Sequence, residues 1–139
     1  FALAANTSLL LMDEPSNGLD IPSKSQFRKV IASGMTDDKS VIISTHQVRD
    51  IDSLLDHVVI IDGTHVLLNE SVKDICAKLY FAEQGMNEPT GDALYVQPSV
   101  QGNSVILSNV YNEETKLNLE VLFNAMLAER EKMQSIFNK

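Results

Sequence analysis

Apolar positions along the first eighty residues alternate between short unbroken runs and recurrences at three- and four-residue steps. Leu9-Leu10-Leu11-Met12 is the first run, and it stops at Asp13, Glu14 and Pro15. A run without alternation predicts a strand buried on both faces, as in a parallel α/β sheet. Pro15 has no N–H for a ladder, so the strand ends there. Phe1 to Asn6 reads as the end of a preceding helix. Ser16-Asn17-Gly18 is a turn. Pro22, or a capping box of Ser23 and Gln26, then opens a helix. Its expected buried face is Phe27, Val30, Ile31 and Met35. Val41-Ile42-Ile43 marks a second strand, Ser40 to Ser44, which ends in Thr45-His46-Gln47. A short helix with Val48, Ile51, Leu54 and Leu55 on one face follows.

Val58 to Ile61 predicts a third buried strand, and Asp62-Gly63 a tight turn into Val66-Leu67-Leu68. Ser71 and Asp74 open another helix with an apolar face of Val72, Ile75, Cys76, Leu79 and Tyr80. Cys76 on that face reads as a small core residue. Composition changes near Ala82, where Gly85, Asn87, Pro89, Thr90 and Gly91 suggest a boundary. Two short strands are expected at Ala93 to Val96 and Ser104 to Val110, around a Gln101-Gly102-Asn103 turn. Pro98 makes the first an edge strand. Leu117 to Phe137 reads as one long helix with Leu119, Leu122, Met126, Met133 and Ile136 on a stripe that Glu129 interrupts. The stripe suits packing on its own domain better than a partner or self-association helix, because fewer than three clean heptads are present. The pattern as a whole is α/β, with residues 1–81 as one part and 82–139 as another.

Composition narrows the function. The 139 residues carry 11 Lys and Arg against 19 Asp and Glu, for a net charge of −8. Sparse, scattered basic residues argue against a nucleic-acid backbone as partner. A single cysteine forms no internal disulfide, which suits a reducing compartment. No apolar run approaches the roughly 18 residues of a membrane span, and no signal peptide is apparent. The chain begins with Phe1 rather than Met, which suggests a piece of a longer protein.

Asp13 and Glu14 fall at the carboxyl end of the first strand, where open α/β sheets bind ligands. Successive strand side chains point to opposite faces, so the pair does not suit a shared-proton dyad. One acid holding a metal and one orienting or deprotonating a water suits them better. An acidic turn without chemistry is the plain alternative. The two strands and the helix between them form a βαβ unit, whose crossover brings both strand ends to one sheet edge. Glu14 and His46 are therefore expected at one site. A metal, a base and an imidazole that titrates near neutral pH suit attack of water on a phosphoryl group. His57, at a strand start, and His65, beside a turn, are expected to be structural or surface residues.

In these positions Leu9-Leu10-Leu11-Met12-Asp13-Glu14-Pro15 resembles the Walker B motif of ABC-type ATPases. Ser16-Asn17-Gly18-Leu19-Asp20 resembles their D-loop, and Ser44-Thr45-His46-Gln47 their switch-histidine loop. Order and spacing also match. The resemblance covers about Phe1 to Tyr80, and the stretch from Ile60 to Ser71 is similar to the hairpin and following helix of transporter members. It implies the C-terminal part of a P-loop NTPase parallel sheet with flanking helices, and a small α+β extension over 82–139. It implies ATP and Mg²⁺ as cofactors, with Asp13 helping to hold the metal. Glu14 would act on the attacking water, and His46 would contact the γ-phosphate. Ser16, Asn17, Gly18, Leu19 and Asp20 would face a second ATPase domain. The implied function is ATP hydrolysis in the cytoplasmic ATPase subunit of a transporter, peripheral to the membrane through a permease partner. The alternatives are a non-transport ABC ATPase of DNA repair or translation, and a non-catalytic interaction module.

None of the six glycines begins a Gly-x-x-x-x-Gly-Lys-Ser/Thr loop, so a phosphate cradle is missing. The family's Leu-Ser-Gly-Gly signature and glutamine loop are missing too. The chain thus corresponds to the family's C-terminal half plus an extension. Alone, it is expected to bind ATP weakly at most and, with bare sheet surfaces, to self-associate.

Overall fold

The computed structural model describes residues 4–138, so the helix end expected at Phe1 to Asn6 lies partly outside the described residues. The chain divides into two compact units, Phe1–Leu54 and Leu55–Lys139.

In the first unit, β1 (Leu9–Asp13) and β2 (Ser40–Ser44) are parallel neighbours, joined through α1 (Ile21–Gly34). Leu9 lies opposite Ser40 and Asp13 opposite Ser44, so the two strands end level. This is the expected βαβ unit. The expectation of strands buried on both faces is corrected. Leu10, Met12, Val41 and Ile43 are half-buried, whereas Leu9, Leu11 and Ile42 on the other face are 51%, 66% and 58% exposed. A βαβ crossover lays its helix on one face only, and no described element covers the other. Asp20, not Ser23, caps α1: its Oδ1 accepts from the Ser23 N–H at 2.9 Å, and Pro22 sits in the first turn. Of the expected α1 face only Ile31 is buried, while Val30 and Met35 are exposed. The short helix after His46 is instead two 3₁₀ turns, Val48–Asp50 and Asp52–Leu54, with Ile51 buried between them.

In the second unit, β3 (His57–Asp62) and β4 (His65–Ser71) form the expected hairpin. Asp62 pairs with His65, so the turn is Gly63-Thr64, one residue later than expected. β3 also alternates, with Val58 and Ile60 buried and Val59 and Ile61 exposed. Next, α2 (Val72–Lys78) is capped by the Ser71 hydroxyl, which accepts from the Asp74 N–H at 3.0 Å. The helix is shorter than expected, because Leu79 and Tyr80 belong to β5 (Leu79–Gln84). Aromatic and branched residues fit a pleated surface with a strand beside it, and β7 (Gly102–Ser108) supplies that strand. Position 82, where the composition changes, lies within β5.

β6 (Tyr95–Ser99) completes an antiparallel sheet in the order β5-β7-β6, so Pro98 does lie on an edge strand. The β6–β7 turn is Val100-Gln101, since Ser99 pairs with Gly102. The long C-terminal helix is broken into α3 (Leu119–Ala128) and α4 (Arg130–Phe137). Glu129 leaves the helical region (φ −120°, ψ 45°) at the position where the apolar stripe is interrupted. α3 packs on β7 and α4 on β4. Ile75, Leu79, Val105, Ile106, Leu122, Met126 and Met133 form the core of this unit. Cys76 is half-buried there, and burial pushes its thiol up from the ordinary value.

Candidate functional site at the ends of β1 and β2

β1 hands its last hydrogen bond to a residue outside the strand. The Glu14 N–H donates to the Ser44 carbonyl at 2.7 Å, and the chain then turns through a left-handed conformation at Glu14 (φ +46°). A non-glycine residue adopts that conformation only when its surroundings hold it there. The Glu14 side chain provides part of that hold. Its Oε1 accepts from the His46 backbone N–H at 3.0 Å and lies 2.6 Å from the His46 Nδ1. Its Oε2 accepts from the Thr45 hydroxyl at 2.9 Å. The hydrogen bond from His46, followed by those from Thr45 and the His46 backbone, holds the Glu14 carboxyl below its ordinary value against a smaller desolvation effect. The carboxylate is only partly covered and the imidazole is largely exposed.

Asp13 lies on the exposed face of β1, where its Oδ1 accepts from the Ser44 hydroxyl. It stands on the opposite face from Met12, and its carboxylate is bonded to Ser44 whereas that of Glu14 is bonded to Thr45 and His46, so the two acids have separate partners. One exposed carboxylate beside one hydroxyl is a small donor set. It fits a hydrated Mg²⁺, which keeps several waters and takes further ligands from substrate phosphates. Among the described residues no group of three or more His, Cys, Asp and Glu is placed to hold a metal by itself.

The segment from Ser16 to Asp20 is a tight double turn. The Asn17 N–H donates to the Glu14 carbonyl at 3.1 Å and the Leu19 N–H to the Ser16 carbonyl at 3.2 Å. Gly18 takes φ +76°, which glycine adopts without steric cost. Ser16 is 1% exposed, Asn17 and Gly18 are open, and Asp20 serves as the cap of α1. Thus the structure brings Glu14, Thr45 and His46 together, with Asp13 and Ser44 beside them and the turn directly adjoining.

Four polar residues of this region lie outside the sequence motifs or had no assigned role in them. Asp50 accepts from the Ser16 hydroxyl at 3.0 Å and pairs with Lys24 at 2.7 Å. Lys24 also donates to the Gln47 Oε1 at 2.9 Å, and Arg28 to the Asp50 carbonyl at 3.4 Å. Lys24, first of all Asp50's partners, holds that carboxyl below its ordinary value. Lys24 and Arg28 lie four apart on α1, on one helix face, but nothing in the linear pattern pairs that face with Asp50. His57 and His65 are remote in sequence and role. His57 meets Asn69 at 2.7 Å, and His65 sits beside its turn.

No protein-family model matches the chain. Individual proteins do. An uncharacterised ABC transporter ATP-binding protein of Methanocaldococcus jannaschii is 32% identical over 78 residues, 56% of this chain and 30% of that protein. The ABC transporter ATP-binding protein NatA of Bacillus subtilis is 30% identical over 53% of this chain and 30% of its own length. The Nod factor export ATP-binding protein I of Neorhizobium galegae is 24% identical over 93% of this chain and 40% of its length. The chain therefore spans about a third of the length of these relatives. Its α/β architecture of small sheets and helices agrees with a partial P-loop NTPase fold. Motif order and these similarities agree: the chain is similar to the C-terminal portion of ABC transporter ATP-binding proteins.

Proposed function

We propose that this chain supplies the metal and water side of an ATP-hydrolysing site in a transporter ATPase. The observation that supports the reading best is the Glu14 carboxylate held against the His46 imidazole at 2.6 Å, at the level ends of two parallel strands. Glu14 orients and deprotonates the attacking water. His46 contacts the γ-phosphate and so senses which nucleotide is bound. Asp13 helps to hold Mg²⁺ through water. When bound, Mg²⁺ neutralises charge that develops on the phosphoryl oxygens.

In this reading Ser16 to Asp20 face a second ATPase domain, and a membrane permease is the other partner. The parent protein works at the cytoplasmic face of the membrane. Among the described residues no helix is long and apolar enough to cross it. Residues 1–81 form the ATPase part and 82–139 an extension. The chain alone binds ATP weakly or not at all, because it has no glycine-rich phosphate loop.

Two measurements test the reading. Isothermal calorimetry of the 139-residue chain with Mg-ATP is expected to show no tight binding, and tight binding would sink the claim of an incomplete site. In a protein that joins these residues to a phosphate-binding half, Glu14→Gln is expected to slow hydrolysis by about 10²–10⁴-fold. Unchanged turnover would refute the role given to Glu14.

A further inference from the structure

Around the base of this site the polar side chains close a ring. The Ser16 hydroxyl donates to Asp50 Oδ2 at 3.0 Å, and Lys24 Nζ meets the same oxygen at 2.7 Å. Lys24 then donates to Gln47 Oε1 at 2.9 Å, and Gln47 Nε2 donates to Asn17 Oδ1 at 3.3 Å. Asn17 follows Ser16 in the chain, which completes the circuit. Ser16 is 1% exposed, and the Lys24 and Asp50 side chains are 24% and 15% exposed. A paired charge with little water around it holds geometry more firmly than an open surface pair.

The ring joins three segments: the turn after Glu14, the loop that bears His46, and α1. Gln47 is adjacent to His46, and Ser16 is two residues from Glu14. We infer that Lys24 and Asp50 are positioning residues that hold the Ser16–Asp20 turn and the His46 loop in one fixed relation. The inference deepens the hydrolytic reading and rests on it for its functional meaning. The Lys24 ammonium bonds to Asp50 and Gln47, and the Asn17 and Leu19 amides donate to the Glu14 and Ser16 carbonyls, so the ring is the route by which Lys24 is expected to act on them.

Amide hydrogen exchange by NMR on the 139-residue chain tests this. In Lys24→Met the Asn17 and Leu19 amides are expected to exchange about tenfold faster, and in Lys24→Arg to stay within about threefold of the parent. Unchanged Asn17 and Leu19 exchange in Lys24→Met overturns the inference, and so does failure of Lys24→Arg to restore it. Should Lys24→Met unfold the first unit, seen as equal acceleration of Leu10 and Val41 in the sheet, Gln47→Ala takes its place. That variant opens the ring at a half-exposed side chain, and the same two amides decide the outcome. Exchange needs no nucleotide. Failure of the ring is therefore read apart from failure of the hydrolytic reading, which Glu14→Gln tests.

Discussion

Gly102 opens β7 with φ +146°, and a Cβ built there would stand 2.4 Å from the Gln84 carbonyl oxygen. Both the backbone region and the contact exclude a side chain. Gly102→Ala is expected to destabilise the second unit by about 1–3 kcal/mol or more, read as a lower urea midpoint. At Glu14 and Asp50 the governing variable is pH. Both carboxyls are held below their ordinary values of 4.5 and 3.8, by His46 and Lys24 first of all. A carboxyl with a lowered folded value stabilises fully above its ordinary value, and that stability is lost as pH falls through the lowered one. The first unit is therefore expected to loosen on acidification below about pH 4.5. Amide exchange of β1 and β2 followed from pH 6 downward measures it. Glu14→Gln is expected to flatten the response.

At the scale of elements, the C-terminal helices hold the second unit together. Leu122, Ala125 and Met126 of α3 and Met133 of α4 are fully buried. Leu122→Ala is expected to cost about 2–5 kcal/mol by thermal or urea denaturation. A value near zero would mean that α3 does not pack as described. These elements were largely visible in the pattern of residues. Unbroken apolar runs located β1, β2 and β3, whereas the C-terminal stripe read as one long helix and the structure breaks it in two at Glu129. The miss at Leu79 has a physical cause: its apolar spacing continues the α2 face, and only pairing with β7, distant in sequence, makes it a strand. That Glu14 and His46 meet was legible because each closely follows an apolar run whose strand ends at the same sheet edge. Lys24 and Asp50 were not, since each sits in an amphipathic segment where a charged residue is the ordinary surface choice.

Over the whole chain, one face of the β1–β2 sheet remains apolar and open, with Leu9, Leu11 and Ile42 more than half exposed. Each strand of a two-stranded sheet also keeps one unpaired edge. Against this the chain has a net charge of −8, which repels like copies. Self-association is therefore expected to rise with added salt as that repulsion is screened. Light scattering across a concentration and salt series measures it, with Ile42→Lys lowering the association. A monomer that persists at high concentration and high salt would count against a sticky face.

A carboxylate offers about four lone-pair positions. The His46 backbone N–H and Nδ1 occupy the two on Glu14 Oε1, and the Thr45 hydroxyl occupies one on Oε2. Oε2 thus carries fewer of these hydrogen bonds than Oε1, and this side chain can accept a further donor there without surrendering a bond. A donor that approaches this carboxylate therefore finds Oε1 already engaged by His46, and Oε2 engaged by Thr45 at one position.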